Sequence, residues 1–129
     1  MQVYSMSLKV TEADLDELHH VNNVRYLEWI QDISKKHWQA VTQGKFADEY
    51  VWVVRNHSIT YHWAAVLNDV LEIKTHISYS KGAISTRNVE IKDHKSGRLI
   101  VSSKTEWCLL HAQNLKPTRI PENIKSLFE

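Results

Sequence analysis

The residues best suited to chemistry lie together near the start of the chain: Asp14, Asp16, His19, His20, Asn22 and Asn23. They run directly into an apolar repeat of helical spacing, for which Asn22 is a good N-cap. The first turn of a helix leaves about four backbone N–H groups unpaired and carries partial positive charge. Such donors stabilise a carbonyl oxygen that turns negative under nucleophilic attack. A carboxylate on the approach loop can serve as nucleophile or as general base on a water. Together the acids and the helix start suit acyl transfer. The plainer alternative is that Asp14 and Asp16 are solvated loop acids and Asn22 only a cap.

The elements that must hold these residues follow from periodicity. Residues 3–10 alternate and read as a first strand, broken by the polar stretch Thr11 to Asp16. The helix from Asn22 to about Val41 places Tyr26, Leu27, Ile30, Ile33, Trp38 and Val41 at helical spacings. Val24 and Trp29 widen that stripe, so the helix is expected to be largely covered, and Gly44 to end the local structure. From about Tyr50 the period becomes two. Val51, Val53 and Ile59 sit in one run of β-formers, and Leu71 to Tyr79 alternate clearly. Lys81-Gly82 makes a turn, 83–92 a strand, Asp93 to Gly97 a hairpin connection, and Leu99 to His111 a long last strand. Pro121 suits the first turn of a closing helix over 121–128. One strand, one long helix and four hairpin-linked strands predict an α+β fold, an antiparallel sheet around a single helix.

Composition narrows the function classes. The chain has 129 residues, enough for one core and a single domain over 1–129 but not for two. Its 16 basic and 15 acidic residues leave a net charge of +1, which argues against holding nucleic acid or an anionic membrane by charge. The 3 glycines are far apart, so neither a phosphate-binding loop nor a dinucleotide fingerprint is present. No stretch approaches the roughly 20 apolar residues of a membrane span. Nor does the N-terminus read as a targeting signal, which makes a cytoplasmic location the expectation.

Other reactive residues read as structural. Cys108, the single cysteine, is flanked by Trp107 and Leu109 and is expected to be a small buried hydrophobe. The 8 histidines show no metal-ligand spacing, and His57 and His62 would point to opposite faces of a strand. No metal and no cofactor are expected. No Gly-x-Ser-x-Gly elbow supports a serine hydrolase. Trp52, Trp63, Tyr79 and Trp107 are read as packing, with an aromatic acyl-pocket wall as the alternative. Trp29 and Trp38 would limit the depth of such a pocket. Lys81, Arg87, Arg98, Lys104 and Arg119 could face the phosphates of a ligand or merely solvent.

The run from Asp14 to Trp29, DLDELHHVNNVRYLEW, resembles the signature of hot-dog-fold thioesterases. It is similar to the 4-hydroxybenzoyl-CoA thioesterase type and to the catalytic domains of plant acyl-carrier-protein (ACP) thioesterases. The core D-x-x-x-H-V-N-N-x-x-Y is carried by Asp16, His20, Val21, Asn22, Asn23 and Tyr26. A looser likeness covers Tyr61 to Ile73, where Asn68-Asp69 replaces the family's Gly-Asp. The resemblance implies a hot-dog fold that hydrolyses an acyl-CoA or acyl-ACP thioester without a cofactor. It assigns Asp16 as catalytic carboxylate, His20 as an active-site histidine, and the Asn23 backbone N–H as the group polarising the thioester carbonyl. Val21, Asn22 and Tyr26 would meet the substrate. Leu18 and Ala64 depart from the plant pattern, which has an asparagine and an acid there. What remains is a simple scheme, Asp16 as base or nucleophile with the helix start as electrophile. A non-catalytic thioester-binding module is the alternative from another class. The resemblance further implies a homodimer, or a dimer of dimers, with sites between subunits.

Overall fold

The computed structural model describes all residues from Met1 to Glu129. Its strands are β1 (Tyr4–Lys9), β2 (Tyr50–Tyr61), β3 (Val70–Lys81), β4 (Ile84–Asp93) and β5 (Leu99–His111). The long helix α1 spans Asn23–Thr42, and a short α2 spans Glu122–Lys125. The strands form one antiparallel sheet in the order β1-β3-β4-β5-β2. The expected α+β architecture is therefore present. Two local details differ from expectation. The left-handed position ending α1 is Gln43 (φ 51°), whose N–H bonds to the Gln39 carbonyl at 2.8 Å, and Gly44 (φ 79°) follows it. The closing helix has only one α-turn and finishes as a 3-10 turn over Ser126–Phe128.

One face of the sheet receives the apolar stripe of α1. Met6, Ile73, Ile91 and Val101 stand in register across four strands, and Tyr26, Trp29, Ile30 and Ile33 cover the resulting core. A second apolar cluster lies at the other end of the helix, where Leu109, Ile120, Ile124 and Phe128 pack with Trp38, Phe46 and Trp52. Val24, read as part of the buried stripe, is 61% exposed because it lies in the first turn, beyond the sheet's cover. Cys108 is only half-buried, since Trp107 and Leu109 take the inward positions of β5.

Between the two apolar clusters runs a polar band. Ile77, Arg87, Thr105 and His57 stand in register across β3, β4, β5 and β2. Arg87 Nη1 donates to His37 Nδ1 at 2.8 Å and to Thr75 Oγ1 at 3.1 Å. His57 Nδ1 lies 2.8 Å from Thr105 Oγ1, and burial holds its imidazole below the ordinary range. His37 is 2% exposed, stacked on Tyr4 at 5.2 Å. Burial, followed by the adjacent Arg87 charge, pushes His37 down from 6.5 to about 4.

Two stability measurements test this interior. Between the unfolded value of 6.5 and the folded value of about 4, the unfolded chain takes up a proton at His37 that the folded chain refuses. Stability must therefore fall as pH drops through that window. Urea titrations should show this loss in the wild type and a reduced slope in His37→Gln, which retains an acceptor but does not titrate. Tyr26 is 2% exposed, and its hydroxyl accepts the Ala65 N–H at 3.0 Å. Tyr26→Phe strands that buried donor and should lower stability by about 1–3 kcal/mol, read as a lower urea midpoint at unchanged slope.

Candidate active site

The segment between β1 and α1 is held by its own backbone bonds, by its side-chain carboxylates and by the connection from β2 to β3. Leu15 and Val21 form an antiparallel bridge, and the Asp16 N–H donates to the His20 carbonyl at 2.8 Å. His19 closes the turn in the left-handed region (φ 62°), a cost of roughly 1–2 kcal/mol for a residue with a Cβ. The turn aims two N–H groups at one oxygen: Asp16 Oδ1 accepts from Leu18 at 2.9 Å and from His20 at 3.2 Å. Asp16 is half-buried, and its Oδ2 accepts from no group of the chain. One carboxylate oxygen is thus clamped and the other is free for a water or a substrate.

The start of α1 is fixed from three sides. Val21 N–H donates to the Ala65 carbonyl at 3.0 Å, and Asn22 N–H to the Asp14 carbonyl at 2.9 Å. Asn22 Oδ1 accepts the Val24 N–H at 3.0 Å, which makes Asn22 the expected cap. Asp14, 5% exposed, accepts from Arg25 Nε at 2.7 Å and from the Thr11 N–H at 2.8 Å. Burial pushes the Asp14 carboxyl up, but these bonds outweigh it and hold the group below its ordinary value. Asp14 is therefore a structural acid, not a free one. With Val21, Asn22 and Val24 committed, the Asn23 N–H is the donor at the helix start that pairs with no group of the chain.

Not all the residues read from the sequence reach the open site. Asp16, His20, Asn22 and Asn23 stand at its rim, and the His20 imidazole is exposed. Val21 (3% exposed) and Tyr26 (2%) lie beneath, where they support the helix start from the core. Burial pushes the Tyr26 phenol up, so it stays neutral in its bond to Ala65. The connection from β2 to β3 lies alongside, with Val66 bridged to His20. Here Asn68 takes φ 71°, the left-handed conformation that suits the family's glycine. Asp69 Oδ2 accepts the Val66 N–H at 3.0 Å, so this acid serves the turn.

The surroundings are apolar and open. Leu18, Val24, Trp63, Val66 and Leu67 are each at least 40% exposed. Ala64, in the same connection, is also exposed and brings no second acid. Arg98 stacks on Trp63 with its guanidinium carbon 4.1 Å from the ring centroid. The other residues considered as an acyl-pocket wall lie elsewhere. Trp38, Trp52, Tyr79 and Trp107 surround a cavity at the far end of α1, while Trp29 is in the core. Arg87, read among residues that could face a ligand's phosphates, is buried on the inner face of the sheet. No three His, Cys, Asp or Glu side chains converge as a metal site requires, and no helix is long and apolar enough to cross a membrane.

This geometry can be set beside known proteins. Residues 1–128 match the family described as the acyl-ACP thioesterase N-terminal domain. The chain is 24% identical over 127 residues to the long-chain acyl-CoA thioesterase FadM of Escherichia coli (strain K12), covering 95% of this chain and 94% of that one. A probable thioesterase from Bartonella henselae superposes with a TM-score of 0.77 at 27% identity, over 92% of this chain and 98% of its own. A 4-hydroxybenzoyl-CoA thioesterase mutant, solved with 4-hydroxybenzoyl-CoA, superposes over 100% of both chains with a TM-score of 0.90 at 14% identity. The sheet around one helix is thus the hot-dog fold. The chain belongs to the acyl-ACP thioesterase family and is a thioester hydrolase.

Proposed function

We propose that this hydrolase acts on acyl-CoA as a cytoplasmic enzyme, with Asp16 as catalytic carboxylate and the Asn23 N–H as carbonyl-polarising donor. The observation that carries the reading is the state of Asp16. Two backbone N–H groups fix its Oδ1 and leave Oδ2 free, on a loop that ends at an unpaired helix N-terminus. As general base, Oδ2 takes a proton from water while the water oxygen bonds to the thioester carbon. As nucleophile, it bonds to that carbon itself. In either route the carbonyl oxygen gains negative charge, which the Asn23 N–H and the helix start stabilise. Collapse expels the thiolate, a good leaving group. In the first route it takes up the proton held by Asp16 and leaves the free acid and a thiol; in the second the acyl group stays on Oδ2 as an anhydride, which water then hydrolyses to the free acid and the restored carboxylate. His20 stands beside Asp16 as a group that faces the substrate. Asn22 holds the first turn, and Val21 and Tyr26 position it from below.

CoA is favoured over a carrier protein by the relative that matches 94% of its own length, whose name specifies acyl-CoA. The acyl-ACP thioesterase from Umbellularia californica, by contrast, has only 48% of its chain covered. The exposed apolar residues around Asp16 offer cover for an acyl chain, and a second copy of the chain would complete it. β2 runs along one edge of the sheet for 12 residues with no neighbour on its outer side, the kind of edge that pairs with another strand. We assign the homodimer to that edge.

Thiol release from a panel of acyl-CoAs, followed with a thiol reagent, tests the assignment. Asp16→Asn should lower kcat by about 10²–10⁴-fold with little loss of stability, because the amide oxygen can still accept from Leu18 and His20. Full activity in that variant removes Asp16 from the chemistry. Thioester binding without thiol release by the wild type would favour the binding module. Sedimentation should give about twice the 15.1 kDa of one chain, and charged substitutions along β2, such as Val53→Lys, should return the monomer.

A further inference from the structure

Two arginines of the chain lie over indole rings, in opposite circumstances. Arg25 stands 5.6 Å from the Trp29 ring centroid, but Trp29 is 4% exposed and Arg25 is ion-paired with Asp14 at 2.7 Å and Glu28 at 3.1 Å. That pair belongs to the support of the helix start. Arg98 lies closer to its ring, 4.1 Å from the Trp63 centroid, and neither partner is committed elsewhere. Trp63 is 57% exposed, unusual for so large an apolar side chain. No ion pair of the chain includes Arg98, and its guanidinium bonds to no group of the chain. Asp93, the acid of the same hairpin, accepts with Oδ2 from the Ser96 N–H at 2.8 Å and the Ser96 hydroxyl at 2.6 Å instead.

The backbone sets this arrangement. After β2 ends at Tyr61, the N–H groups of His62 and Trp63 both donate to the Ile100 carbonyl, at 2.8 and 3.2 Å. This fork pins the connection to the start of β5, two residues after Arg98, and so brings guanidinium and indole together. The pair lies beyond the end of β2, against the β4–β5 hairpin, and off the edge assigned to a second copy. It is also tied to the candidate site. Trp63 to Val66 is three residues, at most about 10 Å, and Val66 is bridged to His20 of the Asp16 turn.

An indole with a guanidinium over one face is a poor wall for a hydrocarbon chain, which would strip water from the charge. It suits a ring that carries phosphate: the base stacks on the open indole face, and the guanidinium forks onto phosphate oxygens. A CoA thioester brings both. Its pantetheine arm is as long as about four extended residues, ~14 Å, so the diphosphate and adenosine that follow fall at the range of Trp63 from the Asp16 turn. We infer that Trp63 and Arg98 form a nucleotide platform, with the adenine of CoA stacked on the indole and a CoA phosphate on the guanidinium. The inference rests on the acyl-CoA reading of the site and deepens it. A carrier protein presents the same arm without the adenine, so the platform selects the carrier and not the acyl chain.

Steady-state kinetics of the full chain with an acyl-CoA and with the matching acyl-pantetheine, which ends before the nucleotide, tests the platform. Trp63→Ala and Arg98→Gln should each raise KM for the acyl-CoA about tenfold while kcat changes less than about twofold. Trp63→Phe, which keeps a ring to stack on, should recover most of the wild-type KM. The wild type should already show a KM at least about tenfold higher for the acyl-pantetheine, and neither variant should raise that by more than about twofold. Equal losses on both substrates, or none on the acyl-CoA, overturn the proposal. Calorimetric titration with CoA itself needs no turnover, and Trp63→Ala should weaken binding about tenfold; equal binding overturns the proposal as well. A Trp63→Ala chain that sediments at a different mass from the wild type makes Trp63 a subunit contact and also overturns it. A chain that releases thiol without these differences loses only the platform. One that binds CoA through Trp63 but releases no thiol keeps the platform and loses the proposed hydrolysis.

Discussion

The geometry around the start of α1 turns on one backbone donor left unpaired among neighbours that are committed. A helix start offers several free N–H groups, and a folded chain normally satisfies them. Here the Val21 and Asn22 N–H groups bond to the carbonyls of Ala65 and Asp14, and the Asn22 side chain takes Val24. Of the N–H groups from Val21 to Arg25, only that of Asn23 bonds to no group of the chain. Tyr26, tied to Ala65, and Arg25, tied to Asp14, keep the first turn from shifting to close that gap. The same economy governs Asp16, whose clamped oxygen sets the direction of the free one. The proposed catalysis would draw on this order, whose cost is met in folding and not in the reaction.

The length of α1 then separates two environments. Near its start the helix packs on an aliphatic core, and near its end on an aromatic one. The polar band of Arg87, Thr105 and His57 runs between them on the sheet, with His37 answering from the helix. A band like this costs stability relative to aliphatic packing, because buried polar atoms gain little net energy even when bonded. Ser103 Oγ and Trp107 Nε1 lack partners altogether.

The surroundings of the candidate site and the sheet edge leave surface that one copy of the chain does not cover. Leu18, Val24, Trp63, Val66 and Leu67 expose apolar area around Asp16, and β2 leaves a long strand edge without a neighbour. Both features are costly in water and both are relieved by association, either with an acyl chain or with another subunit.

The elements that carry the candidate site were legible in the sequence where their interactions are local. The cap at Asn22 and the opening of α1 join residues within a few positions of one another, so residue type and spacing suffice to read them, whereas the backbone clamp on Asp16 is seen only in the structure. Strand alternation in Leu71–Tyr79 and Leu99–His111 was equally readable, because a period of two is a property of the strand itself. The run from Asp16 to Tyr26 carried the family resemblance for the same reason. What the tertiary structure alone decided are the pairings across many residues. Tyr26 finds Ala65 at 39 positions' distance, and Arg87 finds His37 at 50. Nothing in the alternation of residues 83–92 says that Ser85 and Arg87, together with Val89 and Ile91, face inward. That follows from strand register and from the side on which the helix packs. The aromatic wall was recognisable by residue type, but its distance from Asp16 was not. Side-chain chemistry is written residue by residue, while the sharing of a cavity is set only when the sheet closes around the helix.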